Sequence, residues 1–306
     1  MEEESSIRNK LIFGKYILQK IIGKGSFSTV YSGYNKIDKT KVAAKLEKTT
    51  AESQFLEREA YFLQYLKGYG IPKIKSFGIY GKYYVLIQTL LGDSLVDLND
   101  KYKICIKDIC MIAIQIIDRL EFIHSKYVIH QDIKPANFLV DLDNKNTMYI
   151  IDFGLCKKYR SSYTGRHIKF SITKILTGTP KYASANATRG VQQSRRDDLE
   201  SFGYVLIGLL NNGYLPWQNV FNNLEPINFR KMYNIKKNIP PEKLCGVLPK
   251  EFCEYVKYTK NLNFEQDPDY DYLRHLFCKI LERMNNTNDL KFSWVLNNRN
   301  LDLAQN

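Results

Sequence analysis

The first part of the chain alternates hydrophobic and polar positions. This alternation runs through residues 14–48, where glycines interrupt it, and it predicts strands joined in hairpins. At residues 51–67 the spacing changes to three and four, which predicts a helix with one apolar stripe. The stripe consists of Phe55, Ala60, Phe62, Leu63 and Leu66. Two more strand-like runs follow Pro72, the second at residues 83–90, so we expect a small β-rich part with one main helix.

Helical patterns dominate from about residue 92 onward. Residues 108–125 are apolar nearly all round, which predicts a buried helix, and residues 201–210 predict a second one. We find no internal repeat and no long low-complexity segment. The whole pattern predicts an α+β protein in which a small β-rich part precedes a larger, mainly helical part.

Length and composition are those of an ordinary globular protein. The 306 residues suit one large domain or two lobes, with 44% hydrophobic and 25% charged residues. The chain has no apolar run of about 18 residues and no N-terminal secretory pattern, so we expect a cytoplasmic protein and leave nuclear entry open. Its six cysteines are scattered, which predicts free thiols rather than a zinc site or disulfides.

The formal net charge of +13 allows two interpretations. Lysine and arginine are spread along the whole chain, so the charge describes either a solvated basic surface or a preference for anionic partners. A nucleic-acid-binding protein would need a basic stripe or aromatic platforms in a known module, and the sequence has no such motif.

Two stretches of the β-rich part could bind phosphates. Gly23 and Gly25 lie in IIGKGSFSTV, where glycines let a backbone approach phosphates closely, although this pattern in a hairpin is more often only a tight turn. Lys45 ends the strand-like VAAK, and Glu57 follows twelve residues later on the predicted helix. Such a Lys–Glu pair could hold the ammonium group against the phosphates of ATP.

Two further stretches carry groups suited to phosphoryl transfer. In VIHQDIKPANFLV, Asp132 could accept a hydroxyl proton, Lys134 offers positive charge, and Asn137 offers an amide oxygen to Mg²⁺. Asp152 follows an apolar strand-like run and precedes Phe-Gly, a place where it could bind a metal ion. Each group alone also has a structural interpretation, but their order and spacing match the signature set of protein kinases.

The chain resembles a eukaryotic-type protein kinase, and specifically the casein kinase 1 family of serine/threonine kinases. Residues 176–218, which include TGTPKYASANATRG, are similar to that family's activation segment and large-lobe signature. Ser184-Ala185-Asn186 stands where most kinases have Ala-Pro-Glu, and DIKPANFL, IDFGLCKKYR and DPDYDYLRHLF match as well. The resemblance implies a bilobal kinase fold. Its segments would be an N-terminal extension at 1–13, an N-lobe at 14–89, a C-lobe at 90–298 and a short C-terminal end at 299–306.

The resemblance also implies roles for matching residues. Lys45 would contact the α- and β-phosphates and pair with Glu57, with Glu59 as the second choice. Asp132 would be the catalytic base assisted by Lys134, and Asn137 and Asp152 would bind the Mg²⁺ that accompanies ATP. The residues expected to bind ATP are Ile22, Gly23, Gly25, Ser26, Val30, Ala43, Lys45, Gln88 as gatekeeper, Leu90, Leu91, Leu139 and Ile151.

The substrate preference is also implied by the resemblance. Arg195 and Lys231 match positions that form an anion site near the family's substrate groove, so substrates would carry acidic or phosphorylated residues. We therefore expect a monomeric serine/threonine kinase that acts on such proteins and binds neither nucleic acid nor membranes. Asp198 would brace the catalytic loop.

Gln131 stands where the kinase pattern usually has an arginine. That arginine mainly binds a phosphorylated activation loop, and casein kinase 1 proteins generally do not need this phosphate. We therefore expect an active enzyme that is not switched through this contact. The rival interpretations are a kinase-like binding module without turnover and a small-molecule kinase of the aminoglycoside type, which should lack Lys134 and the TGTPKYAS stretch.

Overall fold

The protein divides into two compact units. A computed structural model describes residues 7–25, 28–51, 54–220, 227–285 and 291–296. The N-terminal unit contains the described residues up to Gly92 together with Ile151–Cys156, and the C-terminal unit contains the rest. The sequence predicted an N-lobe that ends at residue 89 and a C-lobe that begins at residue 90. It did not predict that residues 151–156 belong to the first unit.

The N-terminal unit is built on a six-stranded antiparallel sheet. The strands are β1 (Leu11–Ile12), β2 (Tyr16–Lys24), β3 (Ser28–Asn35), β4 (Lys41–Lys48), β5 (Ile74–Tyr80) and β6 (Tyr83–Thr89). Their order in the sheet is β1-β2-β3-β4-β6-β5. The inward side chains of the alternating pattern, among them Leu18, Tyr31, Val42, Val85 and Ile87, form one buried cluster, as the period of two requires.

Helix α1 (Phe55–Tyr65) follows this sheet and contacts strands β4, β5 and β6. Leu56, Ala60, Phe62 and Leu63 are buried along one face, which confirms most of the predicted stripe. The acidic Glu59 is buried on the same face. A buried carboxylate needs a partner, and this one binds a lysine of the sheet.

The C-terminal unit is mainly helical. Its main helices in the described ranges are α2 (Leu95–Tyr102), α3 (Ile106–Ser125), α4 (Ala185–Thr188), α5 (Arg195–Leu210), α6 (Phe229–Asn238), α7 (Pro241–Cys245), α8 (Lys250–Asn261) and α9 (Tyr270–Arg283). Helix α3 is buried around most of its surface and packs against α5 and α9, while α8 packs against α5. Two short antiparallel pairs accompany the helices: β7 (Val128–Ile129) with β10 (Lys157–Lys158), and β8 (Phe138–Val140) with β9 (Met148–Ile150).

Helix α5 begins six residues before the predicted start at residue 201. Its first turns contain buried charged residues, which lie outside the apolar run that predicted this helix. A cap at Ser194 explains the early start, because the Asp197 carboxylate accepts the Ser194 backbone N–H at 2.8 Å. No helix among the described residues has the length and apolar character needed to cross a bilayer.

Candidate active site

A lysine and two carboxylates form the first cluster, which lies within the N-terminal unit. Lys45 on β4 places its Nζ 2.6 Å from Glu59 Oε2 and 2.8 Å from Asp152 Oδ1. We call Lys45, Glu59 and Asp152 the lysine cluster. Because β4, α1 and residues 151–156 all belong to one compact unit, the cluster is fixed by the fold of that unit.

The predicted pairing of Lys45 with Glu57 is wrong. The Glu57 side chain is exposed, whereas Glu59 is 2% exposed and bound to the lysine. Helix phase gives the reason: position 59 lies four residues after Phe55, three before Phe62 and four before Leu63, on the face that packs inward. Glu59, the second choice from the sequence, is therefore the partner of Lys45 in the structure.

Lys45 remains charged in this cluster. Burial alone would lower the pKa of its ammonium group, but the neighbouring Glu59 and Asp152 outweigh burial and hold the pKa above its ordinary value. A permanently charged ammonium group fixed between two carboxylates is suited to binding phosphate oxygens. This geometry is compatible with the phosphate-binding role predicted for Lys45 and the metal-binding role predicted for Asp152.

Asp152 lies at a sharp turn of the chain. Its φ is +69°, and Phe153–Leu155 follow as a single 3₁₀ turn with Phe153 fully buried. This turn packs on α1, where Gly154 lies next to Phe55. A left-handed φ is uncommon for a residue other than glycine and often marks a functional position.

The remaining residues expected to bind ATP lie on several elements. Ile22 and Gly23 are on β2, and Gly23 pairs with Val30 on β3. Ala43 on β4 pairs with Gln88 on β6, and Leu90 and Leu91 follow that strand. Gly25 lies at the turn after β2, Ile151 precedes Asp152, and Leu139 lies on β8 of the C-terminal unit. Ser26 is outside the described residues.

Gln88 supplies a buried acceptor for a ligand. Its side chain is 8% exposed, and its Oε1 has no hydrogen-bond partner among the residues that the structure describes. An unsatisfied buried carbonyl is rare in a folded protein and is explained most simply by a ligand or water donor. This orphaned atom, beside Ala43, fits a bound nucleotide.

The second cluster lies in the C-terminal unit around Asp132. Its carboxylate accepts hydrogen bonds from Lys134 Nζ at 2.6 Å on Oδ2 and from Thr179 Oγ1 at 2.6 Å on Oδ1. Asn137 Nδ2 donates to the Asp132 carbonyl at 2.9 Å and to Oδ2 at 3.3 Å. We call these four residues the aspartate cluster. Asp132 is 5% exposed, so the cluster holds its carboxylate in one orientation.

Thr179 was missed by sequence reasoning. It lies in the TGTPKYAS stretch, 47 residues from Asp132, and no local pattern links the two positions. The contact depends on Gly178, whose φ of +101° carries the chain across the Gln131 carbonyl. A Cβ at Gly178 would lie 2.3 Å from that oxygen, so only glycine permits the crossing.

Asp198 fixes the backbone next to Asp132. Its carboxylate accepts the N–H of His130 at 2.7 Å and of Gln131 at 2.9 Å, and it contacts His124 Nε2 at 3.0 Å. Burial lowers the pKa of His124, which favours its neutral form. The expected bracing contacts of Asp198 are thus present, and they hold Gln131 through its backbone at φ +68°.

The donor atoms of Asn137 and Asp152 fit a magnesium ion chemically. Asn137 uses its Nδ2 on Asp132, which leaves its amide oxygen for a cation, and Asp152 supplies a carboxylate. Mg²⁺ prefers such oxygen ligands and keeps several waters and phosphate oxygens in its shell. Each of the two residues therefore offers, within its own unit, an oxygen of the kind that Mg²⁺ binds.

The predicted anion site at Arg195 is not present. Arg195 is 4% exposed, and its guanidinium binds the Asp267 carboxylate and donates to the Glu265 carbonyl at 2.7 Å. It also lies over the Tyr159 ring, 4.7 Å from the centroid. The arginine therefore joins α5 to the loop before α9, and its charge is not available to a substrate. Lys231 lies exposed in the first turn of α6.

Lys236 on α6 was also missed by sequence reasoning. Its fully buried Nζ donates to the carbonyls of Pro180 and Ala183 at 2.7 and 2.6 Å and to Thr188 Oγ1 at 3.2 Å. Burial lowers the pKa of this lysine to about 7, although Glu200 opposes the change. The side chain thus anchors the stretch that supplies Thr179. Met232 and Ile239, four residues before and three after, are buried on the same face. Their hydrophobic spacing could have predicted that Lys236 points inward.

The comparison with known families agrees with this geometry. A family model described as protein kinase domain matches residues 16–286, which is most of the chain. The match spans β2 through the end of α9 and includes both clusters. Protein kinases use ATP, typically with a divalent metal such as Mg²⁺, and act on proteins. The chain belongs to the protein kinase family.

Proposed function

We propose that this kinase is a serine/threonine kinase of casein kinase 1 type that transfers the γ-phosphate of ATP to acidic or phosphate-primed proteins. The aspartate cluster carries the proposal. Lys134 and Thr179 bind opposite oxygens of the Asp132 carboxylate, which fixes the orientation that a base needs to accept a hydroxyl proton. Neither of these hydrogen bonds involves the Gln131 side chain.

The two clusters divide the chemistry. In the lysine cluster, Lys45 binds phosphate oxygens, and Glu59 holds the ammonium group in place. In the aspartate cluster, Asp132 accepts or orients the proton of the substrate hydroxyl, and Lys134 offers charge to the transferring group. Asp152 and Asn137 would hold Mg²⁺, which when bound neutralises charge on the phosphates.

The casein kinase 1 type is supported by the segment from residue 176 to 218. The Ser184-Ala185-Asn186 triplet has its own anchors on α5: Ser184 Oγ donates to Asp197 at 2.6 Å, and the Ala185 N–H donates to Glu200 at 2.8 Å. The triplet that replaces Ala-Pro-Glu in this chain is therefore held to α5 by specific hydrogen bonds. This supports an ordered segment, as an active enzyme requires, over a kinase-like binding module.

The preference for acidic substrates is supported by the net charge of +13 and the exposed Lys231. Arg195 no longer supports it, because its charge is neutralised inside the unit. The preference therefore depends on cations that remain exposed.

Phosphate transfer from radiolabelled ATP tests the proposal. The wild type and Asp152→Ala would be assayed with Mg²⁺ on matched serine, threonine and tyrosine peptides, each with and without a phosphoserine three residues before the target. We expect transfer to serine and threonine, faster on the primed peptides, and none from Asp152→Ala. Transfer to tyrosine alone would contradict serine/threonine specificity, and ATP binding without any transfer would favour the binding module.

A further inference from the structure

A concave surface with four cations lies on the C-terminal unit, outside the aspartate cluster. It encloses a cavity of about 540 Å³ between the segment at 174–189 and helix α6. The cations are Lys174, Arg189, Arg230 and Lys237, and Phe229 and Tyr233 lie among them. We call this surface the basic groove. Its volume falls within the roughly 300–1,000 Å³ that is usual for ligand pockets.

Within the part of the chain that the structure describes, the cations of the basic groove have no anionic partner. All four side chains are exposed, and none forms an ion pair with any carboxylate in the described ranges. Other basic residues of this unit do have such partners: Arg195 binds Asp267, and Arg274 binds Asp118 and Glu121. Four like charges around one concavity repel each other, so an anionic ligand would stabilise the arrangement.

The groove is preformed by its two walls. The N–H groups of Thr173 and Lys174 both donate to the Gly190 carbonyl, at 2.7 and 3.1 Å. A Cβ on Gly190 would lie 2.6 Å from the Lys174 Cα, so the chain approaches as closely as glycine permits. On the opposite wall, the Asn228 side chain caps α6, and buried Lys236 ties the helix to Thr188.

The Tyr233 ring contacts two of the cations. Its ring lies 5.6 Å from the Arg189 guanidinium and 5.7 Å from the Lys237 ammonium group. Phe229 is 41% exposed beside them. A surface of cations interleaved with aromatic rings suits a ligand that has both negative charges and apolar atoms, as a polypeptide does, better than it suits a small inorganic anion.

We propose that the basic groove is a docking site for an acidic or phosphorylated segment of a protein substrate. This proposal deepens the proposed function, since it assigns the acidic preference to a surface that the sequence did not indicate. The charge complementarity favours an anionic partner, and the protein kinase family supplies polypeptides as substrates. Docking raises the local concentration of the substrate and leaves proton transfer at Asp132 unchanged.

Binding of a labelled peptide tests the proposal on the full chain. The probe is a fluorescein-labelled peptide of alternating aspartate and serine, and its control has asparagine in place of each aspartate. The groove variant is Arg230→Ala/Lys237→Ala. The matched control is Lys243→Ala/Lys279→Ala, which removes the same charge from exposed positions on α7 and α9. Thermal unfolding and transfer to an unextended serine peptide establish that each variant is folded and catalytically intact.

We expect the groove variant to weaken binding of the aspartate peptide by about tenfold at low salt, and the control variant by less than about twofold. The KM of an acidic substrate should rise in the groove variant at unchanged kcat. Equal weakening in both variants, or equal wild-type affinity for the asparagine peptide, would overturn the proposal. A labelled single-stranded oligonucleotide that binds the groove more tightly than the peptide would also overturn it.

The two proposals fail separately in this experiment. Groove-dependent peptide binding without transfer to any serine peptide would overturn the proposed kinase activity and support the groove. Transfer to serine peptides without groove-dependent binding would support the activity and overturn the groove.

Discussion

The lysine cluster and the aspartate cluster hold their charged groups in different ways. In the first, opposite charges neutralise each other: Lys45 lies within 2.8 Å of two carboxylates. In the second, one carboxylate is held by an ammonium group, a hydroxyl and an amide. The difference supports the proposed roles, in which the first cluster places a positive charge and the second orients a proton acceptor. Substitutions should therefore affect ATP binding in one cluster and turnover in the other.

The largest effect is expected from Asp132→Asn. The amide keeps the shape of the side chain but cannot accept a proton as a carboxylate does, so kcat should fall by about 10²–10⁴-fold. The KM for ATP should change little, because the lysine cluster is untouched. Steady-state kinetics with varied ATP measures both values, and a comparable rise in the KM for ATP would contradict the division of roles.

Glu59→Gln should have the next largest effect, with Glu57→Gln as its matched control. The Glu59 change removes a buried anion from Lys45, so kcat/KM for ATP should fall by about ten- to a hundredfold. The exposed Glu57 should tolerate the same change with no effect on these kinetics. If the two variants behaved alike, the Lys45–Glu59 pair would have no catalytic importance.

Lys236→Met should loosen the segment that carries Thr179. The change leaves the carbonyls of Pro180 and Ala183 without their buried donor, which should lower the free energy of unfolding by about 1–3 kcal/mol. The KM for a peptide should rise more than the KM for ATP. Lys243→Met, at an exposed lysine, is the control, and equal kinetic effects from both variants would show that Lys236 does not hold the Thr179 segment in place.

The same substitution should change the dependence of stability on pH. The pKa of Lys236 is about 7 in the folded protein and 10.5 ordinarily, so the unfolded chain binds more protons between these values. This lysine therefore adds stability as pH rises from about 7 to about 10.5, by at most about 1.4 kcal/mol per pH unit. Denaturant unfolding of wild type and Lys236→Met should diverge across that range, and parallel curves would contradict the pKa assignment.

The smallest effect is expected from Gln88→Met. Replacing the buried amide by an apolar side chain of similar size removes an unsatisfied acceptor, so the free energy of unfolding without ligand should rise by about 1 kcal/mol. Chemical denaturation measures this change. Destabilisation would show that the Gln88 oxygen already has a partner in the free protein.

The sequence predicted what depends on local patterns. Alternation located β2, β3, β4 and β6, and short motifs located Lys45, Asp132, Asn137 and Asp152. Helix phase could have selected Glu59 over Glu57 and placed Lys236 inward. The Thr179–Asp132 and Arg195–Asp267 contacts could not be read in this way, since they join residues 47 and 72 positions apart through tertiary packing.

We propose that both clusters work without an arginine at position 131. Gln131 is held through its backbone by Asp198, so its side chain is not needed to position Asp132. The most direct measurement is the rate of phosphate transfer to a serine peptide by the wild type and by Gln131→Arg, under the same ATP and Mg²⁺ concentrations. We predict an active wild type and a variant within about threefold of its rate, a difference below ~1 kcal/mol. An inactive wild type that gains activity in Gln131→Arg would contradict it.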